Sequence, residues 1–262
     1  MTDTLITQMA QTVQDAAALL PPRTESNAAD TWPDVKVAFD AVERPLIALL
    51  RDRLERIRPG VEWADEFGSE LPGTGERWVV DPIDGAVQYL QGLPQWAVSV
   101  SLVRDGQPVA AALHSATFGQ TYTATLGGGA FRNGAPIAPS TRTNLELALI
   151  GMSHPPFFAQ QPDAVAATGR AMPVLLPAAG PHRNLGPTSW QVADVASGRM
   201  DAFWQYGQDA GNLLGASLVA REAGATVTEI TGRPWQAGST SFLAAPASLH
   251  GQLLDLFAQA EN

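Results

Sequence analysis

Asp81 and Asp84 stand three residues apart in RWVVDPIDGAVQYLQG, residues 77–92, directly after the apolar run Trp78-Val79-Val80. Asp65, Glu66 and Glu70 lie a short way upstream. Carboxylates gathered in one place repel one another and raise one another's pKa values. A divalent cation relieves that repulsion. The chain has no cysteine, and this cluster has no histidine, so an oxygen-only ligand set selects Mg²⁺ over zinc or copper. Bound Mg²⁺ would hold a substrate phosphate and lower the pKa of a bound water. Gly85 and the residues behind it read as a helix start, whose open N–H groups favour an anion such as phosphate. The five residues Asp-Pro-Ile-Asp-Gly also read as an ordinary turn with glycine in the left-handed position. The apolar strand before them, the upstream acids and the helix start weigh towards a site at a strand end.

The elements that must position these acids follow from periodicity. Residues 4–20 form one helical pattern, stopped by Pro21-Pro22, and residues 23–34 are polar and loop-like. From Asp34 a longer helix begins, with Phe39, Val42, Leu46, Leu50 and Leu54 on its core stripe, Pro45 as a place for a kink and Pro59-Gly60 as its end. Strands then dominate: 78–81, 96–103, 108–114 and 121–126. Asp105-Gly106 and Asn133-Gly134 are hairpin turns, and Gly127–Gly129 is a further turn. After Ser140 strand and helix alternate: strands at 148–152, at Pro173–Leu176, and in DAFWQY, TVTEI and SFLAA, with helices at 160–171, 188–198, 212–224 and 246–259. The expected organisation is an N-terminal α+β domain over 1–140, with an antiparallel sheet, and a C-terminal α/β domain over 141–262.

Composition excludes several classes. Twenty-six acids against sixteen bases give a net charge of −10, and no basic stripe exists to bind a nucleic-acid backbone. No apolar run approaches the roughly 18 residues of a membrane span, and the N-terminus has no signal-peptide pattern, so a cytoplasmic protein is expected. His114, His154, His182 and His250 are scattered without metal-binding spacing and read as structural or surface residues. No nucleophile elbow or Walker A loop is present.

The stretch from Trp78 to Ile137 strongly resembles the inositol monophosphatase family of Mg²⁺-dependent phosphatases. Its marks are WVVDPIDGA, the GLPQWAVS run and the GGGAFRNGA turn; a second family motif is partly matched by QDAGNLLGASLVAREAGA. The resemblance covers most of the chain from about residue 34 and implies an αβαβα layered sandwich, usually dimeric. Carried over by position, it makes Asp81, Asp84 and Asp209 metal ligands, with Asp84 shared between two ions and the Ile83 carbonyl completing a site. Gly85 and Ala86 would offer backbone N–H groups to phosphate. Upstream, either Asp65 or Glu66 supplies the glutamate ligand. Arg183, ahead of a helix start, stands where the family contacts substrate; a surface salt bridge is its alternative.

The departures sit where the chemistry is. The family's threonine after Asp-Gly, which holds the attacking water, is Ala86 here, and its carboxylate partner on the long helix is Phe39. Asp40 lies next door but about 100° round the helix, so it cannot simply substitute. Gln208 replaces a tryptophan, the strand before it runs about three residues short, and Gln205 falls near a family substrate contact. Lys36, the only lysine, either reaches the acids in place of one ion or points into solvent. Two functions follow: Mg²⁺-dependent hydrolysis of a small phosphate monoester, with Asp65, Glu66 and Asp84 as catalytic acids, or a catalytically inactive relative that binds a phosphorylated metabolite or a protein partner.

Overall fold

The computed structural model describes residues 2–23, 30–64 and 74–261. Two sheets organise the chain. The first is an antiparallel meander of six strands in sequence order. They are β1 (Glu76–Asp84), β2 (Ala97–Arg104), β3 (Gln107–Ser115), β4 (Gln120–Thr125), β5 (Gly129–Arg132) and β6 (Ala135–Pro136). Asp105 (φ 50°) and Gly106 (φ 78°) turn one hairpin, and Asn133 (φ 49°) and Gly134 (φ 77°) another, as primed turns require. The second sheet is mixed, ordered β10-β11-β9-β7-β8. Its strands are β7 (Ile150–Met152), β8 (His182–Arg183), β9 (Ala202–Tyr206), β10 (Thr226–Thr228) and β11 (Ser241–Ala245).

Among the described residues, six helices cover both faces of both sheets. Alternation along β1 splits its side chains: Trp78 and Val80 face outward onto α1 (Thr2–Ala17) and α2 (Trp32–Ile57), and Val79 faces inward. The α2 stripe buries Leu46, Leu50 and Leu54, with Phe39 and Val42 only half-buried. The inward face packs on α5 (Thr188–Ala196) and α6 (Ala210–Ala223), which also carry Phe203 and Phe242 of the second sheet. That sheet's far face, with Trp204 and Leu243, is covered by α4 (Pro162–Ala178) and α7 (Ala247–Ala260). The result is the expected αβαβα sandwich. Residue 140 falls between the last strand of the first sheet and the first strand of the second, and both sheets pack on the middle layer α5–α6.

Among the elements that differ from the sequence expectation, three bear on the layers and on the end of β1. Pro173–Leu176, expected as a strand, belongs to α4, whose buried Ala167, Ala171 and Leu175 recur every fourth residue. A short apolar run fits a buried strand or a buried helix equally, and here the stripe decided. α2 starts at Trp32, not Asp34, with Thr31 capping it through the Asp34 N–H at 3.4 Å. β1 runs on through Pro82 and Ile83 to Asp84, where a turn was the alternative reading.

Candidate active site

The end of β1 contains a bulge. Asp81 pairs with Ser99 and Asp84 with Ala97, so three steps along β1 match two along β2. Residues three apart in a regular strand face opposite ways; one extra residue brings Asp81 and Asp84 to the same face. Proline is tolerated at such a break because it owes the ladder no N–H. Alternation from Val79 makes that face the inward one, towards the middle helical layer. Asp81 is buried, and its Oδ1 accepts the Ile83 N–H at 2.9 Å.

Asp84 meets the start of α5. Its Oδ2 accepts the Ser189 N–H at 3.0 Å and also the Ser189 hydroxyl. A carboxylate there satisfies an orphan N–H of the first helical turn. Gly85 follows at φ 90°, and a Cβ on it would lie 2.7 Å from the Gln95 carbonyl oxygen and 3.3 Å from Pro187 Cβ. Only glycine can pass there, which brings the short helix α3 (Ala86–Leu90) against the entry to α5.

Asp209 is the N-cap residue of α6, yet its side chain does not cap that helix. Its Oδ2 accepts from Gln205 Nε2 at 2.9 Å and its Oδ1 from Asn212 Nδ2 at 2.7 Å. Burial pushes the Asp84 carboxyl from 3.8 up to about 6, against the lowering effect of the Ser189 bonds. Burial likewise pushes Asp209 from 3.8 up to about 7, with the Asp84 charge adding to the rise and the bonds from Gln205 and Asn212 opposing it. β1 and the β9–α6 corner thus bring two acids from different sheets within electrostatic reach of each other.

In donor type and charge these groups suit a hard divalent cation. The donors are all oxygens, two of the acids are buried with elevated pKa values, and one raises the other. Burial of such a pair in its ionised form is costly without a counter-charge. Among the described residues no three acidic or histidine side chains gather closely enough to hold a metal ion. Asp65, Glu66 and Glu70 lie outside the described residues. The chain enters that segment beside β1, where the Ala64 N–H donates to the Trp78 carbonyl at 2.8 Å, three residues before Asp81.

The remaining candidates divide. Lys36 pairs with Asp40 at 3.0 Å on the exposed side of α2, so the reading that points it away from the acids holds. Phe39 lies towards α3 instead, sharing with Val87, Leu90 and Trp32 the wall of an apolar cavity of about 270 Å³. Phe39 and Ala86 pack against the same apolar cluster, so no described carboxylate–hydroxyl pair spans α2 and α3. Arg183 sits exposed on β8 and donates to the His182 carbonyl at 2.8 Å, which does not join it to the acids. His114 and His250 bond Thr121 and Thr228, and His154 and His182 pack edge-on against Phe158 and Trp204.

Sequence reasoning missed Ser189 and Asn212 and gave Gln205 another role. One signal was available: Gln205 is a polar residue in the otherwise apolar strand Ala202–Tyr206 and has no exposed surface.

A family model described as the inositol monophosphatase family matches residues 4–262. An inositol-1-monophosphatase of Rhizobium meliloti is 35% identical over 201 residues, 75% of this chain and 74% of that protein. One from Mesorhizobium japonicum is 34% identical over 189 residues, 68% and 67% of the two chains. The solved inositol monophosphatase of Anabaena superimposes with a TM-score of 0.82 at 22% identity, covering 98% of this chain and 96% of that one, a likeness of fold.

Proposed function

The chain belongs to the inositol monophosphatase family, which places it among the phosphoric monoester hydrolases, and from that premise we propose that it hydrolyses a small phosphate monoester in a Mg²⁺-dependent reaction. The observation that carries this reading is the buried pair Asp84 and Asp209, pushed up to about 6 and about 7 where two sheets meet. When bound, Mg²⁺ supplies the charge that holds a phosphate and acidifies a water. Asp81, Asp84, Asp209 and the Ile83 carbonyl, with Asp65 or Glu66, would hold it. Ser189 orients Asp84 for that task. The backbone N–H groups of Gly85 and Ala86 would take the phosphate oxygens. No described helix is long and apolar enough to cross a membrane. We carry a cytoplasmic homodimer as part of the same reading.

A second reading rests on Phe39 and Ala86. Where the family resemblance implies a carboxylate and a hydroxyl to orient water, α2 and α3 present a phenyl ring and a methyl group. That arrangement favours a catalytically inactive relative that binds a phosphorylated metabolite or a protein partner. Removing a donor that orients the reacting group costs roughly 10²–10³ in rate, which still leaves an enzyme far ahead of water. Phosphate release from inositol, sugar, histidinol and nucleotide phosphates, with and without Mg²⁺, separates the two. Mg²⁺-dependent release supports hydrolysis. Tight Mg²⁺-dependent binding of an ester with no release supports the second reading.

A further inference from the structure

Asp209 is carried out of β9 by only two residues, Gly207 and Gln208. That short loop is clamped. Gly207 takes φ +98°, and a Cβ on it would lie 2.5 Å from Pro155 Cγ. The Gly207 N–H donates to the Thr240 carbonyl at 2.7 Å. The Gln208 N–H donates to Gln161 Oε1 at 2.7 Å, and the Gln208 carbonyl accepts from Gln161 Nε2 at 3.2 Å. So tight a corner holds Asp209 over the end of its own strand, within reach of Gln205.

We propose that Gln205 is a positioning residue: with Asn212 it grips the Asp209 carboxylate by both oxygens and fixes its orientation in the site. The inference rests on the metal-dependent reading above. Gln205 has no exposed surface, and its Nε2 is 2.9 Å from Asp209 Oδ2, while Asn212 Nδ2 is 2.7 Å from Oδ1. Each carboxylate oxygen accepts at least two bonds, so one donor apiece leaves room for a cation. The amide is also the right chemistry. It donates without charge, so the negative charge of Asp209 stays available, whereas a carboxylate at 205 would repel Asp209 and an ammonium would neutralise it. The shortened loop thus turns a position that the resemblance links to substrate into a support for a ligand.

The two roles separate by experiment on the full chain. Gln205→Met keeps the length and removes the donor; Gln205→Asn keeps the amide and withdraws it by one methylene. Mn²⁺ affinity is read by electron paramagnetic resonance, and KM for a released phosphate ester is read at saturating Mg²⁺. In both variants the Mn²⁺ Kd rises about 10–100-fold, the usual cost of losing a support behind a ligand, while KM at saturating metal stays within about twofold. Asn212→Ala, on the partly exposed first turn of α6, shifts Mn²⁺ affinity the same way and serves where the buried substitutions fail to fold. A raised KM with unaltered Mn²⁺ affinity, or no change in either, overturns the inference and leaves the metal-dependent reading standing. Wild-type protein that binds no Mn²⁺ overturns both.

Discussion

Replacing Asp209 with asparagine should stabilise this protein when divalent metal is absent, by a margin that grows between about pH 4 and pH 7. Asp209 is pushed from 3.8 up to about 7, chiefly by burial. An acid whose folded pKa is raised is protonated in the fold while the unfolded chain has already ionised. Metal-free stability is therefore undiminished below about pH 4, falls as pH rises to about 7, and is flat beyond. At roughly 1.4 kcal/mol per factor of ten, ionising Asp209 in the fold costs about 4 kcal/mol. Asparagine removes that cost. Gln205 can turn over to meet the new amide, because its Oε1 is buried without a partner. Exchanging charge-assisted hydrogen bonds for neutral ones returns about 1 kcal/mol, leaving a net gain of about 3 kcal/mol. For a chain of this size that is about 6–12 °C in Tm, using roughly 2–4 °C per kcal/mol. The assay is thermal unfolding of wild type and Asp209→Asn in EDTA and in excess Mg²⁺, at pH 5 and pH 8. In EDTA the variant melts clearly higher at pH 8 and by a much smaller margin at pH 5, and Mg²⁺ reverses the order at pH 8 because it stabilises wild type alone. A variant less stable than wild type in EDTA at pH 8, or the same gap at both pH values, would refute the reasoning.

Three further outcomes follow from the same geometry. Restoring a water-orienting pair with Ala86→Thr and Phe39→Asp together raises kcat about 10²–10³-fold. Ala86→Thr alone recovers little, since paired groups act as a unit; steady-state kinetics that give the single variant the full gain count against it. Gly85→Ala places a Cβ 2.7 Å from the Gln95 carbonyl oxygen at φ 90°, so it lowers Tm, by at least about 2 kcal/mol of stability, and an unchanged melt contradicts that. Ser189→Ala removes a hydrogen bond that lowers the Asp84 pKa, so the Mg²⁺-binding midpoint moves to higher pH, and a midpoint that stays or falls in a calorimetric pH series is the contrary result.

Much of the fold was legible because its signals are local. Asp105-Gly106 and Asn133-Gly134 dictate primed turns by backbone chemistry alone, and these turns punctuate the first sheet. The α2 stripe was visible as a 3.6-residue rhythm. Pro173–Leu176 was not, because four apolar residues carry no period and only packing beneath the second sheet decided between helix and strand. β8 has two residues, too few to leave any pattern. At the site, Asp81, Asp84 and Asp209 stood out by type and motif, but their common face depends on a bulge that no spacing rule announces. Ser189 reaches Asp84 across 105 positions of sequence, a contact that only the tertiary fold creates.

The most direct test of the account is calorimetric titration of the metal-free protein with Mn²⁺ near pH 6.5, in two buffers of different ionisation enthalpy. Two buried acids at about 6 and about 7 hold about one proton between them there, most of it on Asp209, so saturable binding must expel it, and the apparent heat must depend on the buffer. The account predicts both in wild type and the loss of both in Asp84→Asn/Asp209→Asn. Saturable binding that survives the double substitution with its proton release intact would show that these acids do not hold the ion.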